Sequence, residues 1–261
     1  MNGDIVETLL EMHYHPAIIQ MFAQTFGARF LRLFKPSTRA ETWVGFDQGW
    51  VLAPSITNEQ LYDRLSQAIK VGDSTVQGFY VGYFLQFKVL REMVRRSRYA
   101  PTYGAPYLRS ELSLIPNPSS GLSQHETLLR LSQVQNAFVY YACPRLFDLD
   151  QIYDPPDLDT IEIVDVSQAP GGWLPADRHF LAFQKSLVAS SQWLSEPVEA
   201  KSFACSEWVR NRNLSPHRRS GAEITTLIED CASALSVGRD LDVHQLRKIP
   251  QSFTILEFAA L

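Results

Sequence analysis

Asp47 lies in ETWVGFDQGWV (Glu41–Val51), a run of aromatic and β-branched residues. Gln86 and Lys88 lie in a second such run, GYFLQFKVL, with Gln86 39 positions after Asp47. Both runs read as strands. Residues two apart on a strand point to the same face, so Gln86 and Lys88 project together while Phe87 turns into the core. If the two strands are neighbours, Asp47, Gln86 and Lys88 converge at one edge. A carboxylate and an amide oxygen are hard donors for Mg²⁺ or Mn²⁺, whose shell waters and a substrate phosphate would complete. A lysine beside them can orient or deprotonate an attacking water, or stabilise charge on the phosphate.

The elements that must carry these residues follow from periodicity. Residues 4–26 have helical spacing through Ile5, Leu9, Met12, Ile18, Ile19, Phe22 and Phe26, with Pro16 marking a break or a fresh start. SITNEQLYDRLSQAIK, between the two runs, has helical spacing behind a Thr57 or Asn58 cap. Ser123 and Glu126 in LSQHETLLRLSQV form a capping-box pattern and predict a helix. NAFVYYACP and TIEIVDVS read as strands, QAPGGWLPADRH as a loop, and residues 178–194 and 221–236 as helices around an Arg-rich joint at 209–219. The expected fold class is α/β, a central mixed sheet flanked by helices.

Composition narrows the function classes. A net charge of −4 excludes a general polyanion binder, so any nucleic acid must meet a local basic surface. Cys143, Cys205 and Cys231 form no CxxC pair, and no zinc spacing or HExxH motif appears. The odd count suits a reducing, cytoplasmic setting. No signal peptide or membrane-spanning run is expected.

The ordered set Asp47, Gln86, x, Lys88 resembles the PD-(D/E)xK nuclease superfamily, in its variant with Gln in the middle position. The resemblance covers residues 15–185 and implies a restriction-endonuclease-like core. It implies that Asp47 and Gln86 are metal ligands, Lys88 the catalytic lysine, and Glu41 the upstream acid of the site. Phe46 stands where the motif's proline would be, and the 39-position gap requires an inserted helix. The resemblance further implies a DNA endonuclease of a prokaryotic restriction or anti-phage system, using Mg²⁺ or Mn²⁺, with a sensor or ATPase partner protein or a homo-oligomer as assemblies left open. The corresponding division is a nuclease domain at 1–195 and a helical extension at 196–261 packed on the same core.

Each residue also has a plainer reading. Asp47 in DQG suits a hairpin turn, Lys88 suits a solvated strand face, and Glu41 suits a loop. Arg91, Arg95, Arg96 and Arg98 follow the second strand directly. Continued as a helix, Arg91, Arg95 and Arg98 fall on one face, either solvated or set against DNA phosphates with Tyr99, Tyr103 and Tyr107 for stacking. Arg210, Arg212, Arg218 and Arg219 form a second basic group with the same two readings. His125 and His179 suit polar packing, and the cysteines suit small buried apolar positions.

Overall fold

The structure, a computed structural model, describes residues 5–26, 32–34, 48–51, 78–79, 82–116, 121–135, 137–173, 178–186, 191–194, 197–211, 218–219, 230 and 233–234. Asp47 and Glu41, the expected helix before residue 71 and most of residues 212–261 lie outside this set. The described part is α/β, with a mixed sheet and a few helices.

Helix α1 spans Glu7–Phe26. Strands β1 (Arg32–Phe34), β2 (Gln48–Val51), β3 (Gly78–Phe79), β4 (Gly82–Phe87), β5 (Arg91–Met93) and β6 (Tyr107–Leu112) follow. Helix α2 (Gln124–Ser132) leads into β7 (Ala137–Pro144) and β8 (Ile161–Asp165). Strands β9 (His179–Gln184), β10 (Ser191–Leu194), β11 (Val198–Ala200) and β12 (Ser202–Ala204) precede helix α3 (Cys205–Asn211) and β13 (Arg218–Arg219).

One sheet has the order β1-β2-β4-β7-β8-β12 and is antiparallel except for the β4–β7 pair. Gln48 pairs with Leu85 and Gly49 with Phe84, so the two runs singled out in the sequence are adjacent strands. A parallel pair needs a crossover connection. Here it leaves β4 through Lys88–Leu90, passes through β5 and β6 of the second sheet, and returns through α2. The second sheet, β11-β10-β9-β6-β5, is antiparallel throughout.

Alternation sorts the side chains into layers. Phe84, Val139, Tyr141 and Val164 face the second sheet and α2, packing with Leu108, Leu128, Leu131, Leu181, Phe183 and Trp193. Leu85, Phe87, Tyr140, Ala142 and Ile163 face the other way, onto Leu10, Tyr14 and Ile18 of α1 and Trp208 of α3. The buried stripe of α1 is thus Leu10–Tyr14–Ile18, a four-residue period. Met12, expected on it, is 69 % exposed. Pro16 does not break the helix. It is exposed, and the carbonyl it leaves unbonded belongs to exposed Met12, where water can serve it.

Three expectations are corrected. Residues 178–194 contain two strands, not a helix. Residues 198–204 begin the supposed helical extension as strands completing both sheets. The arginine run at 91–98 starts as strand β5 and continues without helix, so Arg91, Arg95 and Arg98 do not share a helical face.

Arg145 ties the two sheets. Its Nη2 donates to Glu162 Oε1 of β8 at 2.7 Å and to the Gln184 carbonyl at the end of β9 at 3.0 Å, and Nη1 donates to the Lys185 carbonyl at 2.9 Å. Both side chains are nearly buried, and burial pushes the Glu162 pKa up against the opposing pull of Arg145. Removing one partner of a buried ion pair costs about 3–5 kcal/mol, mainly because the other charge stays buried. Arg145→Met should therefore lower the urea unfolding free energy by about that amount, and adding Glu162→Leu should recover much of it. A single variant as stable as the wild type would show that the pair does not join the sheets.

Candidate active site

Lys88 is the first residue past β4, still in register through its backbone N–H, which donates to the Ala142 carbonyl at 2.9 Å. Its side chain is only 5 % exposed, contrary to the solvated-strand reading. An ammonium taken out of water needs a countercharge and acceptors. Lys88 Nζ finds them in Glu7 Oε1 at 2.8 Å and Gln124 Oε1 at 2.9 Å. Glu7 comes from the first turn of α1 and Gln124 from the first turn of α2.

Gln86 closes the arrangement. Its Oε1 accepts from Gln124 Nε2 at 2.8 Å, and its Nε2 donates to Glu7 Oε2 at 3.3 Å and to the Phe87 carbonyl at 3.2 Å. Four side chains thus form a closed hydrogen-bonded ring, Glu7–Lys88–Gln124–Gln86–Glu7. Gln86 is fully buried, Gln124 is partly exposed, and the Glu7 side chain is 41 % exposed. The ring sits at the end of β4 where the chain passes from one sheet to the other.

Gln86 and Lys88 therefore do project to one place, with Phe87 buried on the opposite face of the sheet. Glu7 and Gln124 were not anticipated. Glu7 reads in the sequence as an ordinary first-turn acid favoured by the helix dipole. For Gln124 the only signal is the Ser123–Glu126 capping box, present as expected: Glu126 N–H donates to Ser123 Oγ at 3.1 Å and Ser123 N–H to Glu126 Oε2 at 2.8 Å. The box fixes where α2 begins, and so which residue stands beside the site. Asp47 and Glu41 lie outside the described residues, but Gln48, which follows Asp47, is paired beside Leu85. Arg91, Arg95 and Arg98 are all exposed, on β5 and in the segment after it. Of the second basic group, Arg218 and Arg219 form β13, paired with β3, and Arg212 lies outside the described residues.

The donors present are a carboxylate and two amide oxygens, all hard oxygen ligands of the kind that suits Mg²⁺ or Mn²⁺ rather than a soft metal. Among the described residues no group of three or more His, Cys, Asp or Glu side chains is gathered. Gln86 Oε1 accepts from Gln124 Nε2, which fixes the amide's orientation.

Behind Gln124, α2 is anchored by His125. Its Nδ1 lies 2.8 Å from Tyr141 Oη of β7, and Trp173 stacks on it at 5.1 Å and on His179 at 4.2 Å. Gly172, at φ +78°, makes the turn that delivers Trp173. Burial, then the neighbouring His179, depresses the His125 pKa to about 4. The folded state therefore holds the neutral imidazole, and the unfolded chain protonates first as pH falls through about 6.5. This contribution to stability is complete above that pH and is lost on the way down to about 4, by about 3 kcal/mol in all at about 1.4 kcal/mol per unit. Urea unfolding between these pH values should show the decline, and His125→Phe should flatten it. A wild type whose stability follows the same acid profile as His125→Phe would show that His125 does not set that profile.

The chain matches no protein-family model, no curated protein and no solved structure. The nuclease resemblance thus rests on the residues themselves.

Proposed function

We propose that the chain is a metal-dependent endonuclease of the PD-(D/E)xK type, with a restriction-endonuclease-like core, that cleaves DNA phosphodiester bonds in a prokaryotic defence or restriction system. The observation that carries this reading is the buried Lys88 ammonium, held beside Gln86 at a strand end by side chains from two separate helices. A lysine placed that way is costly unless its position is used.

In this reading Asp47 and Gln86 hold Mg²⁺ or Mn²⁺, with Glu7 as a further carboxylate at the open side of the ring. The bound cation would lower the pKa of a coordinated water and neutralise charge on the scissile phosphate. Lys88 orients the attacking water or stabilises the phosphate's developing charge. Gln124 positions both Gln86 and Lys88, since one amide group bonds each. Glu7 holds the Lys88 ammonium in place and shields it until phosphate arrives. Glu41 is retained as an upstream acid of the site, and the exposed Arg91, Arg95 and Arg98 as phosphate contacts.

One observation favours a second reading. The ring is already closed, with Gln86 and Lys88 bonded to ring neighbours, as in a structural polar cluster. A catalytically inactive nuclease-fold subunit that binds nucleic acid or a partner protein would keep such a ring.

Cleavage of supercoiled plasmid with Mg²⁺ or Mn²⁺ separates the two. The nuclease reading expects metal-dependent nicking that Lys88→Ala and Asp47→Ala each reduce by about a hundredfold or more, the range lost when a charge-stabilising group is removed. Gln124→Ala should reduce it less, as a positioning residue. Cleavage that survives Lys88→Ala intact would refute the site, and absence of cleavage with every metal and partner would favour the inactive subunit.

A further inference from the structure

The face of the second sheet turned away from the first carries two arginines side by side. Arg91 and Arg109 are register partners in the antiparallel β5–β6 pair, so their side chains leave the same face roughly 5 Å apart at Cβ. Like charges directly opposite each other on neighbouring strands are destabilising. Nearby carboxylates on the two strands are engaged elsewhere: Glu92 with Lys185 at 2.6 Å, and Glu111 with both nitrogens of a two-pronged Arg178 contact. Among the described residues no carboxylate pairs with Arg91 or Arg109.

Arg109 is also held in a fixed pose. Its guanidinium lies over the Phe180 ring at 4.1 Å. Stacking uses the flat face of the group and leaves the N–H donors at its edge for an acceptor. An arginine fixed by an aromatic ring, beside a second arginine whose charge it opposes, has the form of an anion receptor. The chain continues from Arg91 into Arg95, Arg96 and Arg98, all exposed. Arg91 is three residues past Lys88, so at most about 10 Å of chain separates it from the site.

We propose that Arg91 and Arg109 form a phosphate clamp that holds the backbone of a nucleic acid strand beside Lys88. The inference rests on the nuclease reading for the choice of a polyphosphate chain, and it adds Arg109, which no sequence spacing indicated. The clamp joins the two sheets' roles. The first sheet carries the ring of the site, and the edge of the second carries the strand to it.

The test measures anisotropy of a fluorescein-labelled DNA duplex, with EDTA present to prevent cleavage, at salt between about 50 and 200 mM. Each phosphate contact contributes about 0.9 to the slope of log affinity against log salt. Arg91→Gln with Arg109→Gln should flatten that slope by about 1.8 and weaken binding on the order of tenfold, equally for unrelated sequences. The unfolding temperature should change little, since relief of the like-charge pair offsets loss of the Arg109–Phe180 stacking. Phosphatidylserine vesicles and inorganic phosphate serve as the other probes. An unchanged DNA slope overturns the clamp, as does a loss confined to vesicles, which would assign the pair to a lipid surface, or to free phosphate. Plasmid cleavage separates this from the nuclease reading. Loss of DNA binding in the double variant of a protein that cuts nothing keeps the clamp and sinks the nuclease. Cleavage by a protein whose double variant binds DNA as before does the reverse.

Discussion

A lysine ammonium buried at the end of a central strand is the constraint around which the described structure is arranged. Lys88 is 4 % exposed, and the cost of removing its charge from water must be met by near-ideal partners. The partners come from opposite layers of the fold. Glu7 arrives on α1, which packs on one face of the six-stranded sheet, and Gln124 on α2, which packs on the other. Leu10, Tyr14 and Ile18 seat α1 so that its first turn overhangs the strand end. Leu128, Leu131 and the His125–Tyr141 contact do the same for α2. Packing of both helices is therefore a condition for the ring to close, and the ring penalises any shift of either.

The same crossing point explains why the site and the basic surface are neighbours. Strand β4 ends at Phe87 and β5 begins at Arg91, in the other sheet. The three residues between are Lys88, Val89 and Leu90, so one short stretch of chain carries the buried ammonium, buries Leu90 in the core between the sheets and emerges at the edge strand as arginine. The Arg145–Glu162 pair braces the two sheets against each other at the C-terminal ends of β7 and β9, the end of the first sheet at which Lys88 follows β4. A site built at a junction of two sheets needs that brace, because relative motion of the sheets would carry Arg91 and Lys88 apart.

What could be read from the sequence was local. Polar residues two apart within an apolar strand gave Gln86 and Lys88 a common face, and the Ser123–Glu126 box gave the start of α2. The run AFVYYACP announced a strand through its aromatic and β-branched residues, closed by Pro144. What failed was reading period in segments buried on both faces. HFLAFQ is buried at its first five positions, so its apolar run lacks the alternation of a half-exposed strand and imitates a helix. The pairings across 79, 81 and 36 positions that bring Glu7 and Gln124 to Gln86 and Lys88 are tertiary, and no local signal encodes them. The Arg91–Arg109 pair is hidden for the same reason.

In the proposed function, the ring of Glu7, Gln86, Lys88 and Gln124 forms one wall of a cation site completed by Asp47. Anomalous scattering from Mn²⁺ in crystals of the protein with a DNA duplex would locate the cation directly. Mn²⁺ is expected within coordination distance of Gln86 Oε1 and an Asp47 carboxylate oxygen, with a DNA phosphate oxygen in the same shell. Mn²⁺ bound to the phosphate elsewhere on the protein, with the four side chains still closed on one another, would contradict it.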